Sequence, residues 1–282
     1  MTISGKAKLA GVIGWPVGHS LSPRVHGYWL AEHGIDGAYV PLQVRPEDCR
    51  AALRALPKLG FAGVNVTVPH KQMAAKTVDT LDAVAERTGA VNTVVVEAHG
   101  RLAGSNTDGY GFLENLKSGA NGWKASAGAA VVIGAGGAAR AITAALLDAG
   151  APEVRVVNRT LARARRLAKD IGGAVTVVTW ADRAEALAGA ALLVNATSLG
   201  MKGGHSLELD LKRLGKAAVV TDIVYAPLVT PLLKAATARG HKTVDGLGML
   251  LHQARPGFRR WFGVEPKVTA ALRDFVLADL GA

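Results

Sequence analysis

An apolar run, Ala129-Ala-Val-Val-Ile133, ends in Gly134-Ala135-Gly136-Gly137-Ala138-Ala139 and passes into an alanine-rich stretch with helical spacing. Strand, tight glycine turn and helix in immediate succession constrain this chain more than any other feature. The spacing G-x-G-x-x-A is what a dinucleotide-binding βαβ unit requires. Gly134 permits the turn, Gly136 lets a pyrophosphate approach the backbone, and Ala139 lets the helix pack closely on the strand. The amides of the first helical turn then face the anion. The next strand expected, Glu153-Val-Arg-Val-Val157, ends in Asn158-Arg159-Thr160. An NAD-binding unit carries an acidic residue there for the ribose 2'-hydroxyl; an arginine favours a 2'-phosphate, hence NADP as cofactor.

With 282 residues the chain has the length for two domains, each with its own core. The single cysteine, Cys49, excludes a disulfide framework and any Cys-based zinc site. From Met1 to Gly18 the apolar runs are short and broken by Lys, Gly and Pro, and no stretch reaches the length of a membrane span. A cytoplasmic protein with no membrane partner is expected. The net charge of +11 raises nucleic acid as a partner, and the densest basic segment runs from Arg159 to Lys169. On a helix, Arg159 and Arg163 would share a face suited to a cofactor phosphate, with Arg165, Arg166 and Lys169 spread over solvated faces. No interleaved aromatics accompany them, so no nucleic-acid partner is expected.

Strand and helix patterns alternate along the chain. Strands are expected at Leu9–Gly14, Ala38–Gln43 and Gly63–Val68, with helices over Pro23–His33 and Pro46–Leu59. A shorter helical region reaches Thr88, and Asn92–Glu97 with Arg101–Ser105 reads as a hairpin about His99-Gly100. A helix over Tyr110–Lys117 leads into a Gly/Ala/Ser-rich hinge, 118–128. Strands near Val131, Val154, Val175, Leu192, Val219 and Lys242 follow, then two helices, Met249–Phe262 and Pro266–Leu280. Whether those helices cap the second domain or return to the first is open from periodicity; a return would leave a cleft between domains, a common ligand site.

Four motifs place polar groups beside glycine or proline at strand ends: Gly14-Trp-Pro-Val-Gly-His-Ser20-Leu-Ser22-Pro23, Gly63-Val-Asn65-Val-Thr67-Val-Pro-His-Lys71, Gly89-Ala-Val-Asn92-Thr93 and Gly104-Ser-Asn106-Thr107-Asp108-Gly109. Asn65 and Thr67, two apart on one strand, would share a face and read hydroxyls. Singly, Ser22 and Asp108 could cap helices and Lys71 could be an exposed charge at a helix start. Together, beside an NADP unit, they point to a small polyhydroxylated substrate. His19, His26 and His70 match no metal spacing, so local hydrogen bonds are expected to satisfy them and no metal is expected.

These motifs, with Asn195-Ala-Thr-Ser-Leu-Gly-Met201, Asp222-Ile-Val-Tyr225-Ala-Pro227 and Asp245-Gly-Leu-Gly-Met-Leu-Leu-His-Gln253, resemble the shikimate dehydrogenase family from Gly14 to the final helices. The resemblance implies an α/β fold of two domains: a substrate domain (1–117) completed by C-terminal helices (247–282), and an inserted NADP-binding Rossmann domain (118–246). It implies NADPH-dependent reduction of 3-dehydroshikimate to shikimate, with Lys71 as general acid/base and Asp108 as its partner. Ser20, Ser22 and Tyr225 would hold the substrate carboxylate, and Asn65, Thr67, Asn92, Asp108 and Gln253 the ring hydroxyls. Gly134, Ala135, Gly136, Gly137 and Ala138 would hold the pyrophosphate, Asn158, Arg159, Thr160 and Arg163 the adenosine phosphate, and Ile223 and Gly246 the nicotinamide end. A monomer or homodimer is expected. Two departures, Gly27 after His26 and Arg255-Pro256 after Ala254, are expected to touch packing or affinity only. The alternatives are a quinate/shikimate dehydrogenase and a non-catalytic NADP-binding regulator; the presence of both Lys71 and Asp108 argues against the regulator.

The paired arginines give a test of cofactor choice. Charge-assisted contacts to a phosphate are worth roughly 1.5 to 3 kcal/mol each. Arg159→Ala with Arg163→Ala is expected to raise the NADPH Michaelis constant tens-fold or more while barely moving that for NADH. Equal losses with both cofactors would show that this pair does not set the preference.

Overall fold

The computed structural model describes residues 3–279, and the chain divides into two compact units, Met1–Thr107 with Gln253–Ala282, and Asp108–His252. The first unit is built on a mixed six-stranded sheet, β1 (Lys8–Gly14), β2 (Gly37–Gln43), β3 (Phe61–Val66), β4 (Thr80–Leu81), β5 (Thr93–Val96) and β6 (Leu102–Ser105), in the order β2-β1-β3-β5-β6-β4. β1 runs parallel to β2 and β3, whereas β5 is antiparallel to both β3 and β6. The expected hairpin is present, with His99 (φ 58°) and Gly100 (φ 75°) turning the chain between β5 and β6.

Helices α1 (Ser22–Glu32), α2 (Cys49–Ala55), α3 (Lys71–Ala75) and α4 (Ala83–Thr88) connect these strands. Cys49, Leu53 and Leu56 pack against Ile13, Val64, Val66 and Val94 to form one core layer. The helix expected over Pro46–Leu59 is shorter: a 3₁₀ turn at Pro46–Asp48 precedes α2, which stops at Ala55. Pro57 has no N–H to continue the ladder, and Leu56 N–H closes the turn on the Leu53 carbonyl instead (3.3 Å). The helical region ending at Thr88 is split by β4, whose two residues are both exposed and so leave no apolar trace in the sequence.

The second unit carries α5 (Asp108–Gly119) and an all-parallel sheet of β7 (Ala129–Ile133), β8 (Val154–Val157), β9 (Val175–Val178), β10 (Ala190–Asn195), β11 (Val219–Asp222) and β12 (Lys242–Val244), ordered β12-β11-β10-β7-β8-β9. Strand order runs outward in both directions from β7, the doubly wound arrangement of dinucleotide-binding sheets. Every residue of β7 is buried, because α6 (Gly137–Asp148) and α7 (Leu161–Ile171) lie on the strand-crossing path of one face and α8 (Pro231–Ala238) on that of the other. Side-chain alternation sorts the strands accordingly: Ala130 and Val132 join Ile142, Leu146 and Leu167, whereas Val131 and Ile133 join Leu187, Leu232 and Leu233. Each strand expected here is present.

The chain then forms α9 (Leu247–Phe262) and α10 (Ala270–Leu277). The division between the units falls inside α9, so its part from Gln253 onward belongs with the first unit. There Trp261 Nε1 donates to the Val94 carbonyl at 3.1 Å, and its indole occupies the space a Cβ on Gly63 would need. α9 runs through Pro256 without ending. α10 starts later than expected because Thr269 Oγ1 caps it by accepting from Leu272 N–H (3.2 Å); the expected end at Leu280 lies outside the described residues. Among the described residues no helix is long and apolar enough to cross a membrane.

Candidate functional site

In the first unit, the register pairs Asn65 with Thr93 and Thr93 with Ser105, so the C-terminal ends of β3 and β6 meet the start of β5. Asn92 is the hub there. Its Nδ2 donates to Thr107 Oγ1 (2.9 Å) and Gln253 Oε1 (3.2 Å), and its Oδ1 accepts from Thr107 N–H (2.9 Å) and Thr93 Oγ1 (3.0 Å). Thr107 Oγ1 reaches the Gln253 carbonyl at 2.8 Å. Asn65 Nδ2 donates to the Asn92 carbonyl (3.1 Å) and Thr93 Oγ1 (3.2 Å), while its Oδ1 accepts from the Tyr39 hydroxyl (2.7 Å). Partnering of this kind offsets the cost of burying polar groups.

Lys71 opens α3 and is half-buried; its carbonyl accepts from Val91 N–H at 2.9 Å, one residue before Asn92. Thr67 lies one residue past the end of β3, held to β1 by its N–H on the Ile13 carbonyl (2.9 Å). Ser22 N–H donates to Ser20 Oγ (3.3 Å), which puts the two serines side by side. The capping role open to Ser22 is not realised: it is the first helical residue, Leu21 holds the N-cap position, and no side chain caps the helix. Asp108 is buried and opens α5 directly after Thr107.

Of the histidines, His70 meets the expectation of a local hydrogen bond and His26 does not. His70 Nε2 lies 2.8 Å from the Val44 carbonyl and must carry the proton, since a carbonyl only accepts. His26, by contrast, is fully buried with neither ring nitrogen hydrogen-bonded. It is held by stacking on Tyr39 (3.9 Å between centroids, 3° between planes), and burial, opposed by the neighbouring Asn65 side chain, lowers its pKa to about 3, so it is neutral. Among the described residues no group of three or more His, Cys, Asp or Glu is placed to hold a metal ion.

In the second unit, Gly134 adopts φ 121°, and a Cβ there would meet the Ala196 carbonyl oxygen at 2.9 Å. Gly136 is the N-cap of α6 with no side-chain cap, and a Cβ built on it meets nothing within 4 Å. The turn thus leaves the first amides of α6, from Gly137 onward, without a side-chain cap and Gly136 beside open space, which fits a pyrophosphate. Asn158 Nδ2 donates to the Thr160 carbonyl (3.0 Å), shaping the loop after β8. Arg159 precedes α7 and Arg163 lies in its first turn, so the two are not on one helix face as expected; both are exposed, and among the described residues neither has a carboxylate within ion-pair distance. Ile223 and Gly246 are brought together, since a Cβ on Gly246 would meet the Ile223 carbonyl at 2.5 Å. Tyr225 is half-buried in the same loop. That loop hangs on Asp222, whose carboxylate accepts from Asn195 Nδ2 (3.0 Å), Val224 N–H (2.9 Å) and Thr230 Oγ1 (2.8 Å).

Residues 12–94 match the family described as "Shikimate dehydrogenase substrate binding domain", 118–245 match "Shikimate / quinate 5-dehydrogenase", and 246–273 match "Shikimate 5'-dehydrogenase C-terminal domain". The chain belongs to the shikimate dehydrogenase family. It is 62% identical over 276 residues to "Shikimate dehydrogenase (NADP(+))" of Paramagnetospirillum magneticum, covering 98% of this chain and 100% of the relative. The similarly named protein of Rhodospirillum rubrum is 61% identical, covering 98% and 99%. Among solved structures, shikimate 5-dehydrogenase from Thermus thermophilus in complex with NADP(H) and shikimate superposes with a TM-score of 0.85 at 39% identity, covering 96% of this chain and 99% of that one. Quinate dehydrogenase from Corynebacterium glutamicum in complex with NAD gives 0.89 at 35%, with 96% and 99% covered.

Within this family scaffold, three residues of the first-unit cluster escaped assignment from sequence. Thr93 and Thr107 stand inside the polar motifs, where the signal was available. Tyr39 sits in the apolar strand Gly37–Gln43, and only the pairing of β2 and β3 around β1 brings its hydroxyl to Asn65.

Asp222 supplies a pH test. Burial raises its pKa from 3.8 to about 6 against three hydrogen bonds that lower it. Between those values the folded chain holds a proton that the unfolded chain has lost, so this group's contribution to stability falls as pH rises, by ~3 kcal/mol at pH 7. Asp222→Asn, a neutral isostere, is expected to gain that amount relative to wild type between about pH 4 and pH 7 in denaturant titrations. A pH-independent difference would mean that Asp222 titrates alike in both states.

Proposed function

We propose that this chain is an NADP-dependent shikimate dehydrogenase, reducing 3-dehydroshikimate reversibly to shikimate on the route to chorismate and the aromatic amino acids, in the cytoplasm, as a monomer or homodimer. The observation that carries the reading is the hydroxyl-reading cluster of Asn65, Asn92, Thr93, Thr107 and Gln253, with Lys71 tied through its carbonyl to the residue before Asn92. A polyol is recognised by such carboxamides and hydroxyls, and the ammonium of a lysine whose backbone is tied to them suits an oxygen that gains charge.

In this reading Ser20, Ser22 and Tyr225 bind the substrate carboxylate, and Asn65, Thr67, Asn92 and Gln253 orient the ring through its hydroxyls. Gly134 to Ala138, with Asn158, Arg159, Thr160 and Arg163, would hold NADPH, and Ile223 and Gly246 its nicotinamide end; when bound, the cofactor would supply the hydride chemistry that the ketone carbon needs. Lys71 gives a proton from its ammonium to the ketone oxygen, so that a C–OH group results, and takes it back in the reverse direction. Asp108 steadies the lysine and a neighbouring substrate hydroxyl, holding the oxygen within proton-transfer distance. The exposed arginines after β8 favour the 2'-phosphate and so the NADP-linked activity over an NAD-linked quinate oxidation.

The test is an NADPH-oxidation assay with 3-dehydroshikimate, run beside quinate with NADP and with NAD. Rapid turnover of the first pair and little of the others is expected; a preference for quinate with NAD would replace this reading by its alternative. Lys71→Ala is expected to lower kcat roughly a hundredfold to ten-thousandfold while leaving NADPH binding nearly intact. Near wild-type turnover at saturating substrate would remove Lys71 from the chemistry.

A further inference from the structure

The orientation of the Asn65 carboxamide is fixed by a group that has no proton to give. The Asn92 carbonyl lies 3.1 Å from Asn65 Nδ2, and a flipped amide would set oxygen against oxygen there. Nδ2 therefore faces Asn92 and spends its second hydrogen on Thr93 Oγ1 at 3.2 Å. Oδ1 must then face Tyr39, and the phenol must be the donor in the 2.7 Å bond between them. With both amide hydrogens committed and one side of Oδ1 occupied, Asn65 retains acceptor capacity alone.

The phenol is built to stay a donor. Tyr39 is buried, and burial drives its pKa well above the ordinary value, with the Ser22 side chain opposing the shift. Its ring is clamped by the parallel His26 imidazole, which is neutral and whose polar neighbour, Asn65, makes no well-formed hydrogen bond with it, and Trp261 lies against it at 6.0 Å between centroids. Two orphaned ring nitrogens at full burial are a cost that Tyr39's placement helps to rationalise: His26 contributes a flat face, not a polar partner.

We propose that Tyr39 is a positioning residue that commits Asn65 to accept a hydrogen bond from a substrate hydroxyl. The inference rests on the shikimate dehydrogenase activity proposed above and deepens it. At the ring position facing Asn65 the ligand must donate, so an alcohol is admitted, while a ketone or an anionic oxygen would meet only a lone pair.

The experiment is a double-mutant cycle of Tyr39→Phe and Asn65→Ser, measured with shikimate and with analogues each lacking one ring hydroxyl. Tyr39→Phe should raise the shikimate KM about five- to tenfold, the loss of about one hydrogen bond, with kcat changed less than about twofold and the NADP KM unmoved. On the Asn65→Ser background the same change should have almost no further effect. For the one analogue lacking the hydroxyl that Asn65 accepts, the Tyr39→Phe penalty should vanish, which a general packing defect would not produce. Additive effects, or an equal penalty for every analogue, would overturn the assignment. Should Tyr39→Phe fail to fold in a thermal melt, Asn65→Ser alone decides: its penalty must disappear for one analogue, and a uniform penalty rejects the acceptor role. Wild type inactive on shikimate with NADP would sink the activity itself, whereas an active wild type with an additive cycle sinks only this inference.

Discussion

The first unit depends on a single buried carboxamide. Asn92 joins the start of β5 to the loop after β6 through Thr107 and to the C-terminal helix through Gln253. A backbone N–H, two hydroxyls and a second carboxamide converge on it, so none of the segments can shift without stranding a buried polar group, at roughly 1–3 kcal/mol for each one left unmade. Segments remote in sequence are thereby held in fixed relation to one another. Rigidity of this kind is what lets short strand ends present side chains in fixed directions.

Two buried titratable groups illustrate opposite ways of living without water. Asp222 gathers three donors from β10, its own loop and the N-cap of α8, and so fixes the loop bearing Ile223 and Tyr225 while its pKa rises only to about 6. His26 gathers no well-formed hydrogen bond, even with the polar Asn65 side chain near it, and survives by giving up its charge, serving as an aromatic slab beneath Tyr39. The first arrangement makes a carboxylate into a joint between elements; the second makes an imidazole into packing. Both follow from the same penalty on a buried ion, met by hydrogen bonds in one case and by neutrality in the other.

In the second unit the local sequence carries nearly all of the information, because a doubly wound sheet buries both faces of its strands. Ala129–Ile133 is a continuous apolar run and Val154–Val157 and Ala190–Asn195 are apolar but for Arg155 and Asn195, and a Cβ at Gly134 in the turn after the first of them would crowd the Ala196 carbonyl. The first unit was less legible. β4 is two exposed residues, α2 is cut short by Pro57, and Ser22 begins a helix without capping it. These are decisions taken by neighbours, since an edge strand or a truncated helix carries no periodic signal of its own.

The residue types at the site, the glycine turn, the arginines after β8 and the order of the polar motifs are properties of the sequence alone, and they determine the family, the cofactor class and the list of residues available for chemistry. Tertiary structure decided how those residues are used. Hydrogen-bond direction depends on which partner has a proton to give, and partners here come from positions far apart in the chain: Asn65 is oriented by Asn92 and Tyr39, and Asn92 by Thr107 and Gln253. No local pattern encodes such pairings, because they arise only when strands register and a C-terminal helix closes over them.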